Sequence, residues 1–224
     1  MIVSAHLIPF WLNLPLCLVM LGCVAGAVRK ADWSALRAVP ARQHVLLAGL
    51  LGLLLLWLLT LKVIDGVWIH LLGVTSLTLI VGWRFTIVGA TLVLLAQLWL
   101  QSHSLFGAPL AWLLTVFLPA TTSRLLAYLL RRYGFRNLFV FMLGAGFGGG
   151  LLSVLLQALA GLLIFGLIGQ AEWVARALAN WPLIALLMFP EGFINGMLVT
   201  ALTVFYPEVV KTFDDAFYLD DREG

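Results

Sequence analysis

What most constrains this chain is a succession of long apolar runs, several of them ended at once by basic residues: Ile8 to Val28 stops at Arg29-Lys30, and Pro109 to Leu130 stops at Arg131-Arg132. The hydrocarbon slab of a bilayer is about 30 Å thick and takes roughly 20 helical residues to cross. Inside it every backbone polar group must be satisfied without water, which leaves helices and closed barrels. The alternating ~10-residue strands of a barrel are absent from the sequence. The runs therefore predict an all-α, polytopic protein of a bacterial-type inner (plasma) membrane. Composition agrees, because 63% hydrophobic and 10% charged residues leave too little polar surface to cover a water-soluble globule of 224 residues.

Seven spans are expected, at residues 8–28, 44–61, 67–82, 85–101, 109–130, 137–169 and 182–206. The third is short, and the sixth is read as one long helix. No Lys or Arg precedes the first run, so it is read as a retained span and not as a signal peptide, which carries its positive charge in front. Residues 1–210 then make one seven-helix transmembrane domain, and 211–224 an acidic cytoplasmic tail holding Asp214, Asp215, Asp220, Asp221 and Glu223. Threading the chain with its N-terminus outside and its C-terminus in the cytoplasm leaves Lys62 and Arg176 as the outer basic residues. The other 11 of the 13 Lys and Arg fall inside, the asymmetry expected of cytoplasmic loops. Trp11, Trp57, Trp68, Trp99, Trp112, Trp173 and Trp181 fall towards the outer interface, where amphipathic rings prefer to sit.

The net charge of +3 is spread in these juxtamembrane clusters and not along a patterned stripe, so it orients the protein in lipid and does not mark a nucleic-acid surface. Cys17 and Cys23 lie six residues apart on one helix, on different faces, and are read as plain apolar packing residues. The Gly144-Ala145-Gly146-Phe147-Gly148-Gly149-Gly150 run lacks the Lys-Ser/Thr of a phosphate loop and lies in hydrocarbon, so it is read as a close helix-packing surface.

Two features carry chemistry. His70, in Asp65-Gly66-Val67-Trp68-Ile69-His70-Leu71-Leu72-Gly73, stands at the mouth of a membrane-length apolar run. Ionisable groups at such depth are costly to keep and mark a site with a partner. The predicted threading puts His6, His70 and His103 on one side of the membrane, and imidazoles gathered from different helices suit nickel, cobalt, copper and zinc. The expected metal ligands are therefore His6, His70 and His103. The second feature is Glu191 in Phe189-Pro190-Glu191-Gly192-Phe193-Ile194-Asn195, nine residues below Pro182 and so ~13 Å down a helix. Asn195 lies one turn on, on the same face. Glu191 and Asn195 are read either as hydrogen-bonding groups that fix helix packing or as a polar element beneath the metal pocket, part of a gate.

The segments His70-Leu71-Leu72-Gly73, Gly82-Trp83, Gln97-Leu98-Trp99-Leu100-Gln101-Ser102-His103, Pro190-Glu191 with Gly196, and Tyr206-Pro207-Glu208 together resemble the cobalt/nickel-transport membrane family. Its members are the CbiM-like substrate-specific components of energy-coupling factor transporters. The resemblance implies a seven-helix permease without ATPase activity of its own, which captures a transition-metal ion as its substrate and works with a separate ATPase pair and a coupling membrane protein. It also implies that the metal is held by the terminal amine and a second-position His, together with the histidine matching His70. Here Ile occupies position 2, and Ala5-His6-Leu7-Ile8-Pro9 looks like the family's opening displaced by five residues. The expectation is thus that His6 takes the amine's place and His103 completes the site, with nickel or cobalt preferred and copper or zinc tolerated. Two alternatives use the same residues differently: a membrane redox or metalloenzyme subunit with His-ligated haem or copper, and a non-transporting scaffold.

Overall fold

The structure, a computed structural model, describes residues 1–134 and 137–218. Arg136 of the predicted inner cluster, and Asp220, Asp221, Arg222 and Glu223 of the predicted acidic tail, lie outside the described residues.

Among the described residues six helical rods are long and apolar enough to cross a bilayer. They are α1 (Phe10–Lys30), α3 (Pro40–Leu58), α5 (Trp83–Leu100), two composite rods and α10 (Trp181–Phe205). In the first composite rod α6 (Ala108–Trp112) passes through a π-helical turn (Leu113–Phe117) into α7 (Leu118–Arg132). In the second a π-helical stretch (Val140–Gly148) runs into α8 (Gly149–Leu167), so residues 140–167 form the one long helix expected from sequence. The short helices α2 (Trp33–Ala38) and α9 (Ala171–Ala179) lie between spans. Leu18, Leu47, Leu51, Leu163, Leu186 and Phe193 are each more than half exposed on the outside of the bundle, as lipid-facing residues must be.

The predicted third span is not a span. Residues 67–69 form a strand and only Val74–Val81 are helical, giving α4 eight residues and a length of ~12 Å. Two glycines set these limits: Gly73 (φ +64°) and Gly82 (φ +87°) hold backbone conformations that other residues rarely adopt. Seven expected spans therefore become six membrane-length rods and one half-length helix. Every residue from Val74 to Ile80 is buried, and α4 lies among α3, α5, α7 and α10. Its Thr75, Ser76 and Thr78 are acceptable at that depth because protein, not lipid, surrounds them.

The glycine run does pack helix against helix. A Cβ on Gly150 would stand 2.9 Å from both the Glu191 carbonyl oxygen and Gly192 Cα, and one on Gly146 would stand 3.2 Å from Gly196 Cα. Small residues on both rods let α10 approach the π-helical stretch and α8 at backbone distance.

A small sheet caps one end of the bundle. β2 (Leu61–Ile64) and β3 (Val67–Ile69) form a hairpin through Asp65-Gly66, and β1 (Ile2–Val3) adds to the free edge of β3. Gly66 takes φ +81° in the turn and accepts a 2.7 Å hydrogen bond from the Ser4 N–H. Beyond the far end of α4, Arg84 donates to the Lys30 carbonyl at 2.5 Å, Arg131 pairs with Asp214 at 2.7 Å, and the Lys211 N–H bonds the Ile80 carbonyl at 2.8 Å. Lys30, Arg84, Arg131 and Lys211, four of the basic residues expected together, thus gather at the end opposite the sheet.

Candidate metal site

The register of the cap builds the site. β1 pairs antiparallel with β3, Ile2 opposite Trp68 and Val3 opposite Val67, and this carries Met1 past Ile69 to His70. The Met1 amine nitrogen lies 3.1 Å from His70 Nε2, and both residues are 6% exposed. On the other side of the ring, Nδ1 is 2.9 Å from the Leu71 carbonyl oxygen. A carbonyl can only accept, so Nδ1 carries the proton and Nε2 turns its lone pair towards the amine. The tautomer is thereby set as a metal-ligating imidazole requires.

Electrostatics favour the neutral forms. The amine, in the cap and outside the membrane-length rods, is lowered by burial from 8.0 to about 4. Burial, reinforced by the adjacent amine, also holds the His70 imidazole well below its ordinary 6.5, with the Leu71 carbonyl opposing. Two unprotonated nitrogens thus converge at neutral pH. Metal–nitrogen bonds of ~2.0–2.1 Å at a right angle put cis nitrogens about 2.9 Å apart, close to the 3.1 Å that separates this hydrogen-bonded pair. Nitrogen donors in such an arrangement suit Ni²⁺, Co²⁺ and Cu²⁺.

The loop carrying His70 is pinned from two sides. Glu191, 1% exposed on α10, accepts from the Leu72 N–H at 2.6 Å through Oε2 and from the Gly73 N–H at 2.7 Å through Oε1. Asn195 donates to Glu191 Oε1 at 2.6 Å, while its Oδ1 accepts from the Ser76 N–H at 2.7 Å and from Ser76 Oγ at 2.6 Å. Together the two side chains take the N–H groups of Leu72, Gly73 and Ser76 at the start of α4, a helix cap delivered from another helix. From the opposite side, the buried Trp57 indole donates to the Leu72 carbonyl at 2.8 Å, and its ring centroid lies 5.0 Å from that of His70.

Of the three histidines expected together, the structure brings only His70 into this pocket. His6 is exposed in the single turn Ala5–Leu7 that follows β1. His103 sits in the loop after α5, half-buried, with its ring 4.6 Å from that of Trp68, and burial pushes its pKa down. Among the described residues no three His, Cys, Asp or Glu side chains converge. The expectation that His6 displaces the terminal amine is reversed, because β1 pairing places position 1, not position 6, beside His70. The pocket itself is a cavity of about 30 Å³ whose lining includes Met1, His70, Gln157 and Glu191. The family resemblance pointed to the terminal amine, but the displaced histidine made His6 the expected ligand in its place; Gln157 was missed although it had a signal, a carboxamide inside an unbroken apolar run.

No curated protein and no solved structure matches the chain. A family model described as cobalt uptake substrate-specific transmembrane region does match it, over residues 3–209. That match takes in the His70 loop, α4 and the Glu191 helix, nearly the whole chain, and the conclusion follows from it: the chain belongs to the CbiM family.

Proposed function

We propose that this protein is the substrate-capture component of an energy-coupling factor transporter, taking Ni²⁺ or Co²⁺ from outside the cell through the Met1 amine and His70 Nε2. One observation carries the reading: two buried nitrogens 3.1 Å apart, the amine donating to the His70 Nε2 lone pair, a contact that an entering ion would replace by binding both. The basic end, with Arg84, Arg131 and Lys211, supports a cytoplasmic location for that face by the positive-inside rule, and hence an outward-facing cap. A coupling membrane protein and an ATPase pair would dock on this face. Glu191 and Asn195 act as positioning residues, holding the loop that presents His70. The family's second-position histidine is replaced by Ile2, which is 2% exposed and pairs with Trp68, so two protein nitrogens remain and other positions on the ion are left to oxygen donors. The haem alternative is disfavoured by size, because a cavity of about 30 Å³ has no room for a porphyrin.

Calorimetric titration of the purified chain, its amino terminus verified by mass, with NiCl2 and CoCl2 tests this. His70→Ala, and a variant with two residues added before Met1, should each weaken binding at least a hundredfold, while His103→Ala and His6→Ala stay within a fewfold of the parent. Full-strength binding by His70→Ala refutes the site.

A further inference from the structure

Six buried side-chain atoms among the described residues lack a hydrogen-bond partner, on Asn13, Gln97, Gln101, Gln157, Trp173 and Thr203. Of these six residues Gln157 alone lines the cavity beside Met1 and His70. It projects from α8 inside the bundle, is 9% exposed, and its Nε2 has no acceptor. Burying an amide N–H without an acceptor is expensive, and such groups in native proteins call for an explanation. The neighbouring acceptor is committed elsewhere, because the Glu191 carboxylate already takes the Leu72 and Gly73 N–H groups and the Asn195 amide.

We propose that Gln157 is the third protein group of the metal site, its carboxamide hydrogen-bonding a water molecule that the captured ion keeps as a ligand. This rests on the capture of a divalent ion by Met1 and His70. Two nitrogens do not fill the coordination sphere of Ni²⁺ or Co²⁺, and open positions on protein-bound ions are taken by water. A cavity of about 30 Å³ holds one or two water-sized species and nothing larger. The carboxamide meets the bound water as a donor, Nε2–H pointing at the lone pair the water does not give to the ion, and the stranded group gains the acceptor it lacks. Gln157 is therefore a liability in the metal-free protein and an asset in the loaded one.

That asymmetry gives the test. Gln157→Leu and Gln157→Met remove the carboxamide at similar volume. The metal-free thermal midpoint of the purified full chain and its affinity for NiCl2 are measured for both variants, beside His70→Ala. The expected result is a metal-free midpoint equal to or above the parent's together with Ni²⁺ binding about tenfold weaker. Ni²⁺ affinity within twofold of the parent in both variants overturns the proposal. So does a fall in the metal-free midpoint of both variants, which would make Gln157 a packing residue. Undiminished binding by His70→Ala removes the underlying capture site instead, and the two failures are told apart by that variant alone.

Discussion

Glu191→Leu is the most informative single change outside the ligands, because its cost can be worked bond by bond. The wild-type carboxylate accepts two backbone N–H groups, those of Leu72 and Gly73, and one Asn195 N–H. Leucine matches the volume roughly and accepts nothing. Asn195 keeps a 2.7 Å bond to the residue 191 carbonyl, so the groups stranded are the two backbone donors. At about 1–3 kcal/mol for each buried unsatisfied donor, the loss is ~2–6 kcal/mol. Glutamine keeps one oxygen and strands one donor, for ~1–3 kcal/mol. Asn195 cannot turn over to help, since its Oδ1 is already held by the Ser76 N–H and hydroxyl. The damage falls on the loop that presents His70, and each 1.4 kcal/mol spent reclosing that loop weakens metal binding about tenfold. Hydrogen exchange of peptides covering residues 70–76, with Ni²⁺ titration, reads both effects. Parent, Gln and Leu should rank in that order of protection and affinity. A Leu variant that costs under about 1 kcal/mol and exchanges like the parent refutes the cap described here.

Acidification should loosen the cap. In the unfolded chain the amine titrates near 8.0 and the imidazole near 6.5, whereas in the native cap burial lowers them to about 4 and well below 6.5. The unfolded state therefore takes up protons that the native state refuses, so this stability is complete above about pH 8 and is lost as pH falls towards about 4. Ni²⁺ affinity should accordingly stay flat from pH 8 to 6.5, where an ordinary amine would lose about tenfold per unit; that steep loss would contradict the burial argument. Gly150→Ala should destabilise by ~1–3 kcal/mol, since the new methyl meets backbone on α10, while Gly166→Ala, with nothing within 4 Å, should be neutral or slightly stabilising in thermal melts. Reporter fusions after Leu105 should read outside and fusions after Arg132 inside; a cytoplasmic reading at 105 would put the cap on the wrong side.

The membrane rods were legible in the sequence because hydrocarbon imposes a one-dimensional rule: a run of sufficient length and apolarity must be a helix. Hence α1, α3, α5 and α10 begin and end within a few residues of the boundaries read from composition alone. Residues 67–82 broke the rule because apolarity does not distinguish lipid from protein as the surrounding medium. Two left-handed glycines cut the segment to eight helical residues, and the N–H groups of Leu72, Gly73 and Ser76 at its start were met by Glu191 and Asn195, 119 residues away for the farthest pairs.

What the sequence determined by itself was the all-helical membrane class, the clustering of basic residues at one end and the singling out of His70, Glu191 and Asn195. Each is a local property of a residue and the apolar run around it. Only the tertiary structure decided what meets His70. A histidine count favoured His6 and His103, but ligand sets are chosen by distance, and the distance is set by the pairing of Ile2 with Trp68 and Val3 with Val67, which puts the Met1 amine on the imidazole 69 residues away. Strand register, which shifts every contact by one residue at a slip, is not written in composition or hydropathy.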